Sequence, residues 1–524
     1  MLDLVRKQIH MNRWKNKVST QITLDDDFIV PDTMDDMEQM ILDHGDIQIE
    51  NSRNLGEKMQ VKGKLEFRVL YRTPEGNMQT LAGSIPFEET INVPDLDEKD
   101  YSNVVWQLDD LNAGIINSRK LSVKAIVTLD VKVESLYDAE AATDVQMVDG
   151  TSPDVEVLKR QIETAAIALR NKDTFRIKQE IALSGNKPDM DRILWSDLRL
   201  RGVETRPLDG QIKIEGELIV FVIYESDGDH TAVQWLEEGI PFSGEVEMMD
   251  AVEEMIPFIT VRILHQEVEA RPDSDGEMRE LEIDAVLELD MKLYEEEEME
   301  LLSDLYAPDR ELNLQTEEAC FDQLLAKNTA KCKLNETISL REAGRILQIC
   351  HCDGTIKVDE TEAKEDGLHI EGVLEVRMMY LTNEDANPIQ SSIEMIPFQY
   401  VVEVPGINQD SVWQLNPSIE QLGAVMAGGD SVEIKAVLSL DILVLQPVCE
   451  TVIKQVEENP LDMKKLQEMP GIVGYIVQPG DTLWLIAKKF HTTVNTIMST
   501  NGLTSEDIKP GDRLILVKEI EHAS

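Results

Sequence analysis

The run Cys350-His351-Cys352 sets two thiols and an imidazole within three residues, and these are the ligand types that hold zinc. A closed zinc site needs further donors, normally a second pair at short fixed spacing. Here Cys320 and Cys332 stand alone upstream and Cys449 is distant. The run Gly423-Ala424-Val425-Met426-Ala427-Gly428 has the glycine spacing that opens a phosphate loop. Gly429-Asp430 follows where a lysine and a Ser or Thr would have to neutralise phosphate and hold magnesium, so the stretch reads as a loop of a repeated unit. The 8 histidines are scattered, and among 101 Asp and Glu residues close carboxylate pairs arise everywhere without meaning. No nucleophile elbow and no His-Glu-x-x-His helix occurs. These residues point to a non-enzyme with no metal or cofactor.

The composition narrows the partners. A formal charge of −51 over 524 residues repels nucleic acid and anionic membrane surfaces. No stretch of 18 apolar residues offers a membrane span. The first ten residues, Met1 to His10, lack the apolar core of a secretory signal, and the cysteine count of 5 is odd. Reduced thiols and a cytoplasmic location are the expectation.

The elements that must position any site form a repeat. Three runs match: Val61 to Tyr71, Ile214 to Tyr224 and Ile370 to Tyr380, each with a glycine (Gly63, Gly216, Gly372) eight residues before the tyrosine. In the first, Leu65, Phe67, Val69 and Tyr71 are apolar at every second position, the period of a strand with one buried face. The opposite face mixes charge with some apolar residues. The glycine marks a bulge or a close backbone approach. Ile85-Pro86-Phe87, Ile240-Pro241-Phe242 and Ile396-Pro397-Phe398 follow, and their prolines suit an edge strand or a strand entry.

A third motif recurs as Val123 to Asp130, Ile283 to Asp290 and Ile434 to Asp441. Lesser echoes pair Val105-Trp106-Gln107-Leu108 with Val412-Trp413-Gln414-Leu415, and Arg192-Ile193-Leu194 with Arg345-Ile346-Leu347. The reading is mainly β: three sandwich or barrel-like modules over 5–138, 155–295 and 313–455, with few helices. Glu295 to Glu298 is a charge run expected at a solvated linker or module edge.

A polar linker over 456–472 leads to a different pattern. Tyr475 and Val477 alternate as a short strand, Pro479-Gly480 turns the chain, and Asp481 or Thr482 caps a helix. Leu483, Ile486, Ala487 and Phe490 share one helical face. A second helix with Val494, Ile497 and Met498 inward closes at Asn501-Gly502, and Lys509-Pro510-Gly511-Asp512 turns into a last strand.

This βααβ pattern over 473–518 resembles the LysM domain, with Leu516-Val517 standing where that family usually ends in Ile-Pro. The resemblance implies a shallow groove formed by Gly480, Asp481, Thr482, Leu483 and Trp484 with Asn501, Leu503 and Ile508. In that family the groove takes N-acetylglucosamine-containing glycans, and the same surface can serve instead for protein docking. The three repeats followed by one LysM resemble the SPOCS-domain family of endospore-forming bacteria. That resemblance implies a spore coat morphogenesis scaffold in the mother-cell cytoplasm at the forespore surface. Its expected partners are a basement-layer ATPase of the stage IV sporulation protein A type, reached through the LysM, and other coat proteins. A peptidoglycan-binding wall or cortex protein is the alternative.

Overall fold

The structure, a computed structural model, describes residues 2–147, 154–226, 229–340, 345–383, 388–428, 431–460 and 470–517. Each repeat is a sandwich of two three-stranded antiparallel sheets. In the first, β1 (Leu2–Ile29), β5 (Tyr101–Asn117) and β6 (Lys120–Met147) pair in the order β1-β6-β5. The strands β2 (Gln39–Asn54), β3 (Lys58–Arg72) and β4 (Met78–Asn92) pair in the order β2-β3-β4.

The second repeat builds the same sheets from β7 (Glu156–Ala182), β8 (Met190–Leu208), β9 (Gln211–Ser226), β10 (Asp229–Glu247), β11 (Ile256–Pro272) and β12 (Met278–Tyr306). The third uses β13 (Arg310–Ser339), β14 (Ile346–Lys364), β15 (Gly367–Thr382), β16 (Ile389–Val402), β17 (Val412–Gly428) and β18 (Ser431–Pro460).

The recurring motifs are the two central strands of each sandwich. In β3, Val61, Leu65, Phe67, Val69 and Tyr71 face Val123, Ala125, Val127, Leu129 and Val131 of β6 in one core. Burying each such aliphatic side chain contributes about 1.5–3 kcal/mol, so these two rows carry the module. The glycines explain the Ile-Pro-Phe motif. Gly63, Gly216 and Gly372 lie directly opposite Phe87, Phe242 and Phe398 on the neighbouring strand. A Cβ on Gly63 would sit 2.7 Å from the Phe87 ring and 2.6 Å from the Gln48 carbonyl oxygen. The ring therefore occupies the space a side chain would need. On the other flank the partner strand bulges between Ile49 and Asn51, so close approach and bulge coincide. Pro86, Pro241 and Pro397 fall on β4, β10 and β16, all at sheet edges, where a missing N–H breaks no ladder.

Five expectations change. Residues 423–428 belong to β17 and are not a loop, while Gly429-Asp430 lies outside the described residues. The run Glu295 to Glu298 is no linker: it lies within β12, paired with β7 and solvent-exposed. The expected linker does not begin at 456: residues 456–460 continue β18, paired with β13, and 461–469 lie outside the described residues. Cys320 and Cys449 are not free thiols: they sit directly opposite on β13 and β18 and form a disulfide, leaving Cys332, Cys350 and Cys352 buried and free. Finally, the tryptophan echo is out of register. Trp106 pairs with Leu129, whereas Trp413 pairs with Val444, four residues beyond Leu440, the counterpart of Leu129. A shift by four preserves which face each residue presents, so sequence identity and burial agree while the registers do not.

The modules pack around a common centre with approximate threefold symmetry. Leu70, Ile223 and Met379, each just before its repeat's tyrosine, point away from their own sandwich cores and meet in one cluster with Leu42, Trp195 and Phe221. The first and last strands of each module run past its sandwich as paired arms. Equivalent arm positions meet again: Ala141, Leu301 and Val452 in one cluster, Ala142, Leu302 and Ile453 in the next. Between heads and arms lies a buried polar junction. Glu134 of β6 accepts from Arg170 (2.7 Å) and Lys292 (2.6 Å) of the second module. Lys292 also reaches Gln414 of the third, whose amide donates to the Tyr294 hydroxyl. Burial pulls the Lys292 ammonium below its usual range, against the pull of Glu134.

Candidate functional site

The C-terminal module pairs β19 (Ile472–Ile476) with β20 (Arg513–Val517) around α1 (Leu483–Lys489) and α2 (Val494–Asn501). Thr482 caps α1, its hydroxyl accepting from the Leu485 N–H, and Gly502 ends α2 at φ 64°, in the left-handed region that favours glycine. Asp481 accepts from the Gln478 N–H (2.8 Å) and the Tyr475 hydroxyl (2.7 Å), which hold its carboxyl below the usual range and raise the tyrosine. Asn501 pins β20 to α2: its amide donates to the Ile497 and Ile515 carbonyls and its oxygen accepts from the Ile515 N–H.

Of the residues expected to form the groove, Leu483 lies in the domain core, and Asp481 and Asn501 are engaged in these internal bonds. Gly480 and Thr482 are exposed, and Leu503 and Ile508 are half-buried against the core. Trp484 has turned to the repeats. Its indole N–H donates to Asp304 (2.8 Å) and its ring meets Tyr306 edge-on at 4.9 Å. Lys488 donates to the same carboxylate (2.6 Å), and the Tyr306 hydroxyl donates to the Thr492 carbonyl (2.9 Å). The seat formed by Asp304 and Tyr306, at the end of β12, escaped sequence reasoning. Its only trace was the apolar run Leu301, Leu302, Leu305, Tyr306 beyond the sandwich's own strand length.

The docked module turns one face outward. Ile472, Ile476 and Ile515 lie on the same side of the β19–β20 ribbon at 68%, 55% and 51% exposure. The Cys350-His351-Cys352 run is split between environments. Cys350 packs in the intermodule cluster, Cys352 in the third sandwich, and the imidazole of His351 stacks on Phe221 at 3.8 Å and bonds Glu237. Burial pushes both thiols up to about 12, which makes them poor ligands. Among the described residues no group of three His, Cys, Asp or Glu side chains could hold a metal.

Where the heads meet they surround a cavity of about 1030 Å³. His44, Asp197 and Asp353 occupy equivalent places in its wall, opposite Arg68, Phe221 and Arg377. His44 is held well below its usual range by burial and by Arg199, Arg68 and Arg377, so its imidazole is neutral.

Comparison with known proteins fits this geometry. The family model "SipL, SPOCS domain" matches three times, at residues 36–116, 189–271 and 345–427, and the LysM domain model matches at 475–517. Each SPOCS match spans the four middle strands of one sandwich, and the long paired strands that complete it lie outside. One curated relative, the uncharacterized protein YkzQ of Bacillus subtilis (strain 168), is 47% identical over 45 residues, covering 9% of this chain and 59% of that protein. No solved structure matches. The architecture is that of a sporulation-related protein bearing one module of the peptidoglycan-binding type, built from domain families that are not catalytic. Three sandwiches of one design, each holding a SPOCS match, with a LysM seated on the arm of the second, place the chain in the SPOCS-domain family, here with a C-terminal LysM domain.

Proposed function

We propose that this chain is a spore coat morphogenesis scaffold of the mother-cell cytoplasm, docking on the forespore-surface basement-layer ATPase through its LysM. The observation that carries the reading is the outward apolar face of the β19–β20 ribbon, Ile472, Ile476 and Ile515. A sugar groove in this module would use the exposed Gly480 and Thr482 loop, whereas three exposed isoleucines on a rigid ribbon suit a protein partner. The fixed seat on Asp304 and Tyr306 supports the same reading, because it orients that face relative to the repeats. The three heads and their arms then serve as a spacer with further surface for coat proteins.

The test is capture of a purified ATPase of the stage IV sporulation protein A type by the full chain and by Ile476→Glu and Ile515→Glu variants. Loss of capture in both, with unchanged thermal stability, supports docking through this face. Full capture by both variants defeats it. The exposed loop at Gly480 and Thr482 keeps glycan binding as the second reading, and co-sedimentation of the same proteins with insoluble peptidoglycan decides for it if the full chain pellets and the isoleucine variants pellet equally.

A further inference from the structure

One place in the arms differs in chemistry among the three modules. Three residues before Ala141, Leu301 and Val452, which meet in one cluster, stand Asp138, Glu298 and Cys449. Their direct cross-strand partners are His10, Glu163 and Cys320. The first pair is joined at 2.5 Å, the second sets two carboxylates opposite each other, and the third is the disulfide. Like charges facing across a ladder oppose pairing, yet β7 and β12 pair there all the same. Backbone ladder and buried face therefore hold an arm at this point without a covalent bond.

The disulfide lies on the outer face of its arm. Cys449 is exposed and Cys320 half-buried. Ala319 and Phe321, on either side of Cys320, alternate to the opposite face and pack into the arm cluster. The Tyr137 hydroxyl of the first module donates to the Cys320 carbonyl (3.1 Å), and Arg160 of the second donates to Glu450 (2.8 Å). These contacts use backbone and neighbouring side chains and neither sulfur. They keep the two cysteines side by side when the bond between them is broken.

We propose that Cys320 and Cys449 form a redox-sensitive clasp. In reducing surroundings it is an open dithiol with the arms still assembled, and a small-molecule disulfide closes it and locks the third arm. Closure takes two exchanges. The exposed Cys449 thiol gives its proton to solvent, and its sulfur attacks the small disulfide, expelling one thiolate that takes up a proton. The Cys320 thiol then loses its proton, and its sulfur attacks the Cys449 sulfur of the mixed disulfide and expels the second thiolate, which is protonated in turn. Two protein thiols are thus oxidised while one small disulfide is reduced to two thiols. Small thiols in excess run the same steps backwards. Cys332, Cys350 and Cys352 are buried and take no part. The clasp works whatever the LysM binds.

The test begins by treating the full chain with dithiothreitol without denaturant, alkylating it and weighing it by mass spectrometry. Cys320 and Cys449 should be modified and the three buried cysteines spared. After the reductant is removed, cystamine should re-close the clasp and leave no adduct. Cys320→Ser should instead keep one cystamine-derived adduct on Cys449, because the second thiol is missing. Hydrogen exchange in 317–323 and 446–452 should quicken by about tenfold or more on opening, with β15 in the sandwich core unchanged. The double variant Cys320→Ser, Cys449→Ser should exchange like the reduced chain with or without dithiothreitol. A bond that resists dithiothreitol in the folded chain, loss of protection throughout the third sandwich on reduction, or equal exchange in the open and closed forms each overturns the proposal.

Discussion

Gly63 shows how a single hydrogen in place of a side chain can organise a module. The Phe87 ring and the Gln48 carbonyl close on it from two strands, at 2.7 and 2.6 Å from where a Cβ would be. Backbone cannot yield on one side without breaking the β2–β3 ladder, and the ring cannot yield without leaving the core. Gly63→Ala should therefore cost about 1–3 kcal/mol, the usual range for overpacking. Gly216 is looser, with its nearest contacts at 3.0 and 3.2 Å, so Gly216→Ala should cost less. Phe87→Ala alone should cost about 3 kcal/mol or more through its cavity. In the double variant Gly63→Ala, Phe87→Ala the clash with the ring is gone, so the loss should fall short of the sum of the two. Denaturant unfolding of the four proteins checks this, and strict additivity would mean that ring and glycine do not share the space.

Strands and arms divide into what the sequence discloses and what it hides. Alternation in Leu65, Phe67, Val69 and Tyr71 discloses a buried face, and repetition of the motif discloses three modules. The outer face of the same strand is harder to read. Leu70 stands among Lys64, Glu66 and Arg68, and one apolar residue in a charged row looks like ordinary surface until its counterparts Ile223 and Met379 are brought beside it. The Cys320–Cys449 bond spans 129 residues and depends on arm register, which no local pattern sets. The groove and seat of the LysM show the same split: its helices are periodic and legible, but the Asp304 partner of Trp484 lies 180 positions away.

The polar junction of the arms is likewise an assembly feature. Lys292→Met removes one of the buried cations that donate to Glu134, at a cost of about 3 kcal/mol. Replacing both, as Glu134→Gln with Lys292→Met, removes the two coupled charges together and leaves Arg170 facing a neutral amide. The double variant should then be less destabilised than the two single losses added together, and thermal unfolding of the set measures that coupling.

At the scale of the molecule, the question is whether three sandwiches of one chain fold as three units or as one. Each has a core of its own, which argues for independence. Yet each also contributes to clusters that no module completes alone: Leu70, Ile223 and Met379 between the heads, and Ala141, Leu301 and Val452 between the arms. A module opened by itself would expose both stripes to water, and at about 25 cal/mol per Å² of apolar surface such exposure rivals the few kcal/mol by which a domain of this size is stable. Coupling should therefore win. Ile223→Asp, which buries a charge in the shared cluster and leaves the second sandwich core intact, should lower amide protection in β3 and β15 as well as in β9. Hydrogen exchange followed by mass spectrometry reads all three strands in one experiment. Loss confined to β9, with β3 and β15 protected as in the unmodified chain, would mean that the heads merely touch, and the common centre would then be a surface between neighbours with no part in holding them folded.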